Sequence, residues 1–439
     1  MKTFMRKFIA PRTWSRGITA GVVLTALGAC SSILDVKNPN NVPESALENP
    51  ASADAQANGS LAALVRMLSA TTVPYSVATD ELDWIGSRDA WLDLETGGLG
   101  NFLNEFTDGA FPDVGTARYL ADQTITKLEA FDKAGTLVNR QSLARAYLYA
   151  AITYTSIADM YDDYAFSSKT TPAAPVGRAN MGKLYDKAIG YLDKSLAIAT
   201  ASADRYNITA YRARVKHAKG VWGKISPKGT VNTANPLVND AGAVADANAA
   251  IAMSAADAKF NLVNNLEATA GINIWFEVNG RNEHRVGAAY TNLKDPISGA
   301  IDPTATASLA AFKAFGTQSG TLWMTSNREL RLILAEAALS AGNIGEFTTQ
   351  INTVRALDGK PAYAAQIPAQ QMLVYERQAQ LWLMRRRLAD MYRFGLTDPK
   401  WVNNPNFESA FTVKGLLFPI PNVERLGNPC IETPSKCGS

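Results

Sequence analysis

Apolar residues recur at helical spacing in five segments of this chain, and small residues lie within the same stripes. In residues 53–68, Leu61, Leu64, Val65 and Leu68 form one stripe. The same kind of stripe occurs in residues 142–164, 180–199, 209–225 and 241–254. The small residues within the helical segments include Ala150, Ala151, Ala188, Ala213, Ala218, Ala335 and Ala338. Small side chains let helix axes approach closely, so the pattern predicts an all-α stack of paired helices, tetratricopeptide-like but without a strict period of about 34 residues.

Two stretches interrupt the helical pattern. Residues 257–325 are rich in Gly, Asn, Thr and aromatic residues, which is typical of an irregular surface insertion, and loops of this kind often carry function. Residues 71–115 combine aromatic rings with carboxylates in a similar way. We therefore predict a helical domain over residues 51–439 with loop-rich, ligand-binding insertions near 71–115 and 257–325.

The helical pattern resumes after the second insertion. Residues 325–359 predict a helix pair, with Ser326 or Asn327 as the N-cap of its first helix and Gly342 followed by Asn343 as its turn.

Residues 369–395 predict one long helix that ends at Gly395. Its three consecutive arginines, Arg385 to Arg387, are expected on a solvated, partly paired face. Arg387 is expected to form an ion pair with Asp390 or Glu376.

The N-terminal residues have the pattern of a bacterial export signal. Residues 1–29 contain five basic and no acidic residues, followed by a short apolar run and Gly28-Ala29. Cys30 follows at once, so residues 27–30 resemble a lipobox, in which the cysteine is lipidated and becomes the mature N-terminus. The alternative is an ordinary signal peptide followed by a stray cysteine. We predict a signal peptide over 1–29, an acylated Cys30 and an extended tether over 30–50.

Charge and cysteine content restrict the function further. Removing residues 1–29 takes away five of the 43 basic residues and none of the 40 acidic ones, so the remaining chain has a net charge of −2. A nucleic-acid partner is not expected, because no basic cluster is found.

The two C-terminal cysteines, Cys430 and Cys437, are expected to form a disulfide in an oxidising envelope, and a metal site is the alternative.

The sequence offers little for catalysis. It contains only two histidines, His217 and His284, and no nucleophile-elbow, P-loop or zinc-protease motif. His217 is expected on a solvated helix face. His284, with charged neighbours on both sides, could clamp a polar ligand or lie in a plain exposed loop. The carboxylates of residues 80–95 leave a glycosidase as an alternative. We predict a non-enzyme with no catalytic residues, no cofactor and no metal.

Both insertions carry residues suited to sugar binding. Sugars present C–H faces that stack on aromatic rings, and their hydroxyls bond to carboxylates, amides and guanidinium groups. The candidate ligand residues are Tyr75, Asp80, Asp83, Trp84, Arg88, Trp91, Trp275, Arg281, Asn282, Tyr290 and Trp323. Packing of these rings in the core is the alternative for each of them.

Several passages resemble the SusD/RagB family of outer-membrane nutrient-binding lipoproteins. They are "CSSILDVKNP", "ARAYLYAAITYTSIADMYDDYAF", "LRLILAEAALSAGNIGEFTTQINTVR", "ERQAQLWLMRRRLADMYRFG" and "LLFPIPNVERLGNP", and together they extend from Cys30 to Pro429. Met384 and Arg385 differ from the family's usual Glu-Gly, and "DDYAF" and the C-terminal "CIETPSKCGS" also depart from the family pattern. Because the binding loops of the family vary, the resemblance assigns no ligand residue.

The resemblance implies a SusD-like helical scaffold, lipid-anchored and surface-exposed at the outer membrane. It implies a protein that binds an oligosaccharide or peptide and passes it to a SusC-like TonB-dependent transporter. The alternative is a lipid-anchored, tetratricopeptide-like protein-interaction scaffold with no small ligand. Exposed aromatic rings would favour the ligand-binding protein, whereas buried Trp84, Trp91 and Trp275 would favour the scaffold.

Overall fold

A computed structural model of the chain describes residues 44–168, 170–226, 228–264, 273–317, 320–433 and 437. The predicted signal peptide over 1–29, the predicted lipidation site Cys30 and most of the tether over 30–50 lie outside these residues. The chain divides into two compact units, Met1–Asn49 and Pro50–Ser439. The described part of the first unit contains a 3₁₀ helix at Glu44–Glu48.

The second unit is mainly helical, which confirms the predicted fold class. In chain order its α-helices are α1 (Ala53–Val77), α2 (Ala90–Glu95), α3 (Glu105–Lys133), α4 (Arg140–Met160), α5 (Lys183–Ile198), α6 (Ser202–Ile225), α7 (Ala241–Ala252), α8 (Ala288–Thr291), α9 (Pro303–Ala314), α10 (Asn327–Ser340), α11 (Ile344–Leu357), α12 (Ala369–Gln380), α13 (Arg387–Arg393), α14 (Asn422–Gly427) and α15 (Pro429–Glu432). Short 3₁₀ helices lie at Pro50–Ser52 and Arg178–Asn180, and a π-helical turn lies at Phe276–Gly280.

Most long helices pack against a neighbour in sequence. The main pairs are α1 with α3, α4 with α5, α6 with α7 and α10 with α11. The small residues predicted at helix contacts are buried, among them Ala151, Ala188, Ala213 and Ala335. These alanines let the helix axes approach, as the stripe pattern predicts.

Two antiparallel ribbons complete the fold. Strand β1 (Leu82–Trp84) pairs with β3 (His284–Val286), and β2 (Lys259–Asn264) pairs with β4 (Gly320–Ser326). A register shift falls between Phe260 and Asn261 in the second ribbon. Ser326, the last residue of β4, caps α10 by accepting a hydrogen bond from the backbone amide of Glu329.

The turn predicted after α10 is also present. Gly342 has φ +74°, in the region where glycine carries no steric penalty, and Asn343 caps α11 by accepting from the amide of Glu346.

Residues 71–115 contain more helix than we expected. Helix α1 continues to Val77 and α3 begins at Glu105, so the irregular part is confined to residues 78–104, which also contain β1 and the short helix α2. Thr71 and Thr72 fit within a buried helix because their hydroxyls donate to carbonyl oxygens one turn earlier. Asn104 starts α3 by accepting from the amides of Phe106 and Thr107.

The single helix predicted over residues 369–395 is wrong between 381 and 386, where the chain leaves the helix and then re-enters it as α13. Gly395 does end α13, with φ +70°.

The three consecutive arginines are not on a solvated face, because Arg385, Arg386 and Arg387 are all buried. Arg387 pairs with Asp80 at 2.7 Å instead of with either predicted partner.

His217 is also buried, contrary to the solvated position that we expected. Its Nε2 lies 3.0 Å from a carboxylate oxygen of Glu336, which is itself fully buried. Arg393 and Arg377 approach the same carboxylate, and Arg393 also pairs with Asp390. Buried charges of this kind need partners at close range, and here helices distant in sequence supply them.

The C-terminal cysteines, Cys430 and Cys437, are joined as a disulfide. None of the described helices has the length and apolar character that a membrane-spanning helix requires.

Candidate functional site

The β1–β3 ribbon joins the two sequence blocks that we predicted to bind a ligand. Asp83 lies opposite Arg285 in the register, and Trp84 lies opposite His284. The Trp84 indole donates to a carboxylate oxygen of Glu283 at 3.0 Å. Residues about 200 apart in sequence therefore meet at one place.

Four of the predicted aromatic rings are unsuited to ligand stacking in this structure. Tyr75, Trp91, Trp275 and Tyr290 are each at most 2 % exposed. Trp91 stacks on Phe106 with ring centroids 3.6 Å apart, so the face of its ring is already covered. Predicting these four as ligand contacts is wrong for the described conformation, because a stacking ring needs a free face.

The predicted charged residues are mostly paired within the protein. Asp80 is held by Arg387, and Asp83 accepts from Lys400 at 2.7 Å. Arg88 forms ion pairs with Glu277 and Glu283.

Two predicted polar residues lie at the surface of this region. The Arg281 side chain is 45 % exposed and 3.6 Å from Glu277, and Asn282 is exposed with φ +55°. The β1–β3 ribbon is thus mainly a structural junction. Of the predicted aromatic residues in this region, Trp84 is the one whose ring is partly exposed.

A cleft of about 300 Å³ lies elsewhere, against the β2–β4 ribbon, and Trp323 is the one predicted site residue that lines it. We call it the Trp323 cleft. It is lined by Lys259, Asn261, Thr304, Ala307, Ser308, Ala311, Trp323, Thr325, Ser326, Arg328, Asp358, Gln380, Trp382 and Met384. Its volume falls at the lower end of the range for small-molecule sites.

One wall of the Trp323 cleft is a face of α9 made of small side chains. Thr304, Ala307, Ser308 and Ala311 follow the spacing i, i+3, i+4, i+7, which places them on one side of the helix. Asp302 caps this helix by accepting from the amide of Ala305. The short side chains leave the space that larger residues would fill.

Two tryptophans from different elements line the same cleft. Trp323 on β4 is partly exposed, and its ring centroid lies 6.1 Å from that of Trp382 at a tilt of 41°. Trp382 is 3 % exposed and also packs edge-on against Phe312. The cleft therefore combines a fixed, buried indole with one that retains accessible surface.

Two buried polar atoms of the lining have no hydrogen-bond partner among the described residues. They are Nε1 of Trp382 and Oγ1 of Thr325, on side chains that are 3 % and 1 % exposed. Most buried polar groups in native proteins are paired, and an unpaired one often marks a position where a water or ligand binds. The indole N–H can only donate, so its partner has to offer an acceptor.

The base of the cleft is held by an ion-pair network around Arg328. Arg328 bonds to Asp257 and Asp358 at 2.7 Å each, and to Gln380 at 3.0 Å. Burial alone would raise the pKa of Asp358, but hydrogen bonds from Thr304, Arg328 and Gln380 outweigh it and lower that pKa. Asp358 thus stays charged at neutral pH, and the network fixes these polar groups in place.

The other wall is the unwound 381–386 segment between α12 and α13. Leu383 and Arg385 have φ of +57° and +58°, a region that costs a non-glycine residue about 1–3 kcal/mol. The segment is held by a hydrogen bond from the Leu383 amide to Glu81 at 2.7 Å. It directs Trp382 and Met384 to the Trp323 cleft, while Arg385 lines a separate small cavity.

Sequence reasoning missed Trp382 because it placed residues 369–395 in one helix. A signal was present at position 385, where the SusD/RagB pattern has glycine and this chain has Arg385. A glycine that recurs at one position often marks a positive φ, which a continuous helix does not contain. No group of three or more His, Cys, Asp or Glu side chains in the described part of the chain could hold a metal ion.

The chain is similar in structure to several solved proteins, some of which are described as SusD-like. A putative sugar-binding protein from Bacteroides vulgatus superposes with a TM-score of 0.64 at 14% identity, covering 87% of this chain and 97% of that one. A SusD homolog from Bacteroides thetaiotaomicron gives 0.63 at 12% identity, covering 88% and 98%. A SusD-like carbohydrate-binding protein from Bacteroides vulgatus gives 0.57 at 13% identity, covering 87% and 97%.

No family model and no curated protein matches the sequence. At these low identities the structural likeness establishes the fold, and the chain has the SusD-like fold over most of its length. The predicted resemblance is confirmed at this level.

Proposed function

We propose that this chain belongs to the SusD-type nutrient-binding lipoproteins and binds a glycan in the Trp323 cleft, without catalytic turnover. The observation that carries the proposal is the pairing of accessible aromatic surface with unpaired buried polar atoms in one concave site. Trp323 supplies the surface, and Trp382 and Thr325 supply the unpaired atoms.

The chemistry of this cleft suits a sugar. A pyranose ring can lie with its C–H face on the partly exposed Trp323 indole, opposite the small-residue face of α9. Trp382 Nε1 and Thr325 Oγ1 are buried in this structure, so a shift of the lining has to uncover them. A sugar hydroxyl or ring oxygen could then accept from the Trp382 N–H, and another hydroxyl could exchange a hydrogen bond with Thr325. Pairing these groups would remove the free-energy cost of leaving them unsatisfied.

The cellular role that we propose rests on the N-terminal pattern and the family resemblance. Acylation of Cys30 would anchor the chain at the outer membrane, with the helical unit exposed at the cell surface. The bound glycan would then pass to a SusC-like TonB-dependent transporter. Two of the structural neighbours above are described as sugar- or carbohydrate-binding proteins, which supports the ligand class.

Calorimetric titration of the full chain, purified in detergent, against panels of oligosaccharides and peptides tests the proposal. We expect an oligosaccharide to bind without being cleaved, and Trp323→Ala to weaken binding about tenfold or more, equivalent to ~1.4 kcal/mol. Trp84→Ala is the matched control, since Trp84 is also a partly exposed tryptophan but lies on the β1–β3 ribbon. A larger effect of Trp84→Ala would move the site to that ribbon.

One observation favours the alternative function, a protein-interaction scaffold with no small ligand. Trp91 and Trp275 lie in the core, as expected for a protein that stacks no ligand on them. A folded sample that binds no member of either panel, but retains a protein partner in a pull-down, would support the scaffold.

A further inference from the structure

The positive and negative charges of the ionisable side chains around the Trp323 cleft are equal in number. Lys259, Arg328 and Asp358 line it, and Asp257 lies 3.5 Å from Lys259 and 2.7 Å from Arg328. Asp358 completes the set by pairing with Arg328. Two positive and two negative groups therefore neutralise each other, and each positive group already has a carboxylate partner.

The layer behind Gln380 offers no spare positive charge either. Behind the other wall, Arg385 forms no ion pair among the described residues, but it is buried and lines a separate small cavity. Gln380 lies 3.3 Å from Glu376, which pairs with Arg355 and Lys360. Asp295 and Asp302 pair with the same two cations. Three carboxylates thus share two cations here, so the field of this layer does not favour an anion.

The polar groups of the lining that lie outside the ion-pair network are uncharged. Trp382 Nε1 and Thr325 Oγ1 are unpaired among the described residues, and Asn261 and Ser308 are among the other neutral polar side chains of the lining. The N–H of an indole provides a hydrogen bond but no net charge. An anionic ligand would lose its hydration here without gaining a charged partner.

We infer that the ligand of this cleft is an uncharged sugar, a short neutral glycan or the neutral end of a longer one. This inference rests on the proposed function and narrows it. Uronic acids, sulfated sugars and peptides with free carboxylates are discriminated against, because they would have to displace an existing ion pair or leave their own charge unpaired.

A matched pair of lysine substitutions on β2 tests the inference. Asn261→Lys adds a positive charge at an exposed position of the cleft lining, and Val263→Lys adds the same charge two residues along, at a position that is 64 % exposed and outside the lining. Neither position belongs to the ion-pair network, so both variants are expected to fold. Binding of neutral and uronic-acid oligosaccharides of equal length is measured at one ionic strength.

We expect the unmodified chain to bind a neutral oligosaccharide at least about tenfold more tightly than its uronic-acid counterpart. Asn261→Lys should reduce this preference severalfold, whereas Val263→Lys should leave it unchanged. Equal affinity for both sugars in the unmodified chain, with both lost in Trp323→Ala, would overturn the inference and leave the proposed function intact. An unchanged preference in Asn261→Lys would also overturn it. Failure of both sugar classes to bind would instead contradict the proposed function.

Discussion

At the scale of single residues, burial decides which aromatic side chains can bind a ligand. Trp91 and Trp323 have the same side chain and were equal candidates from sequence. Trp91 is fully enclosed and stacked on Phe106, whereas Trp323 lies on a strand that borders a cleft. The difference comes from tertiary packing, which spacing in the sequence does not reveal.

This difference can be measured by truncating each ring. Trp91→Ala should lower the free energy of unfolding by about 3–5 kcal/mol, because it leaves a cavity in the core. Trp323→Ala should cost less stability while it weakens ligand binding. Urea unfolding and ligand titration on both variants check the pair, and equal losses of stability would contradict the assignment.

Glu81 has an unusual environment because it is fully buried beside the 381–386 segment. It accepts hydrogen bonds from the Leu383 amide and the Ser76 hydroxyl, yet burial dominates and raises its pKa to about 7. The unfolded chain ionises this carboxyl near its ordinary value of 4.5. Ionisation therefore favours the unfolded state increasingly as pH rises from 4.5 to 7.

Glu81→Gln should remove this pH dependence. Relative to the variant, the unmodified protein should lose up to about 3 kcal/mol of unfolding free energy between pH 4.5 and 7, with no further change above that range. His284 has a pKa lowered to about 4 by burial and is common to both proteins, so its titration cancels in the difference. Unfolding free energies measured across this range would contradict the account of Glu81 if the difference were constant.

At the scale of elements, helices are predictable where one face carries a continuous stripe. Residues 142–164 and 209–225 show this, since helix forms over most of each. The helix at the start of the first insertion was harder to predict, because threonine has a low helix propensity and the hydroxyls of Thr71 and Thr72 are satisfied only by the preceding turn of the buried helix. The break at 381–386 depends on hydrogen bonds to residues about 300 positions away, such as the one that the Leu383 amide donates to Glu81, and no local pattern carries that information.

Alanine substitution at two glycines is expected to change the stability of the protein in opposite directions. Gly190 lies within α5, and a Cβ there would meet nothing within 4 Å. Gly190→Ala should therefore stabilise the protein by about 0.5–1 kcal/mol. Gly287 follows β3, and a Cβ there would collide with the backbone carbonyl of Asp80.

Gly287→Ala should consequently destabilise the protein by at least about 1–3 kcal/mol, because two backbone segments must move apart. Thermal or urea unfolding of the two variants shows directly whether each substitution raises or lowers the free energy of unfolding. Stabilisation by Gly287→Ala would mean that the β1–β3 ribbon is less closely packed than described.

At the scale of the whole molecule, a buried charge network ties the repeats to the C-terminal helices. The carboxylate of Glu336 on α10 is contacted by three side chains from other helices, which are His217 on α6, Arg377 on α12 and Arg393 on α13. Burial alone would raise the pKa of Glu336, but Arg393 and His217 outweigh it and hold that pKa well below its ordinary value. The carboxylate is therefore charged in the folded protein and compensates the cations of Arg377 and Arg393.

Removing that charge should destabilise the whole unit. Glu336→Gln leaves the surrounding cations with Asp390 as their main counter-charge and should cost about 3–5 kcal/mol. Glu346→Gln, at the exposed start of α11, is the matched control and should change stability by less than about 0.5 kcal/mol. Comparable losses in both variants would show that the network contributes little.

The central claim is that the Trp323 cleft is the ligand site, and a crystal structure of the chain with a neutral oligosaccharide tests it most directly. We expect a sugar ring between Trp323 and the small-residue face of α9, with an oxygen within hydrogen-bond distance of Trp382 Nε1. A sugar bound at the β1–β3 ribbon beside Trp84 and Arg281, with the cleft empty, would contradict it.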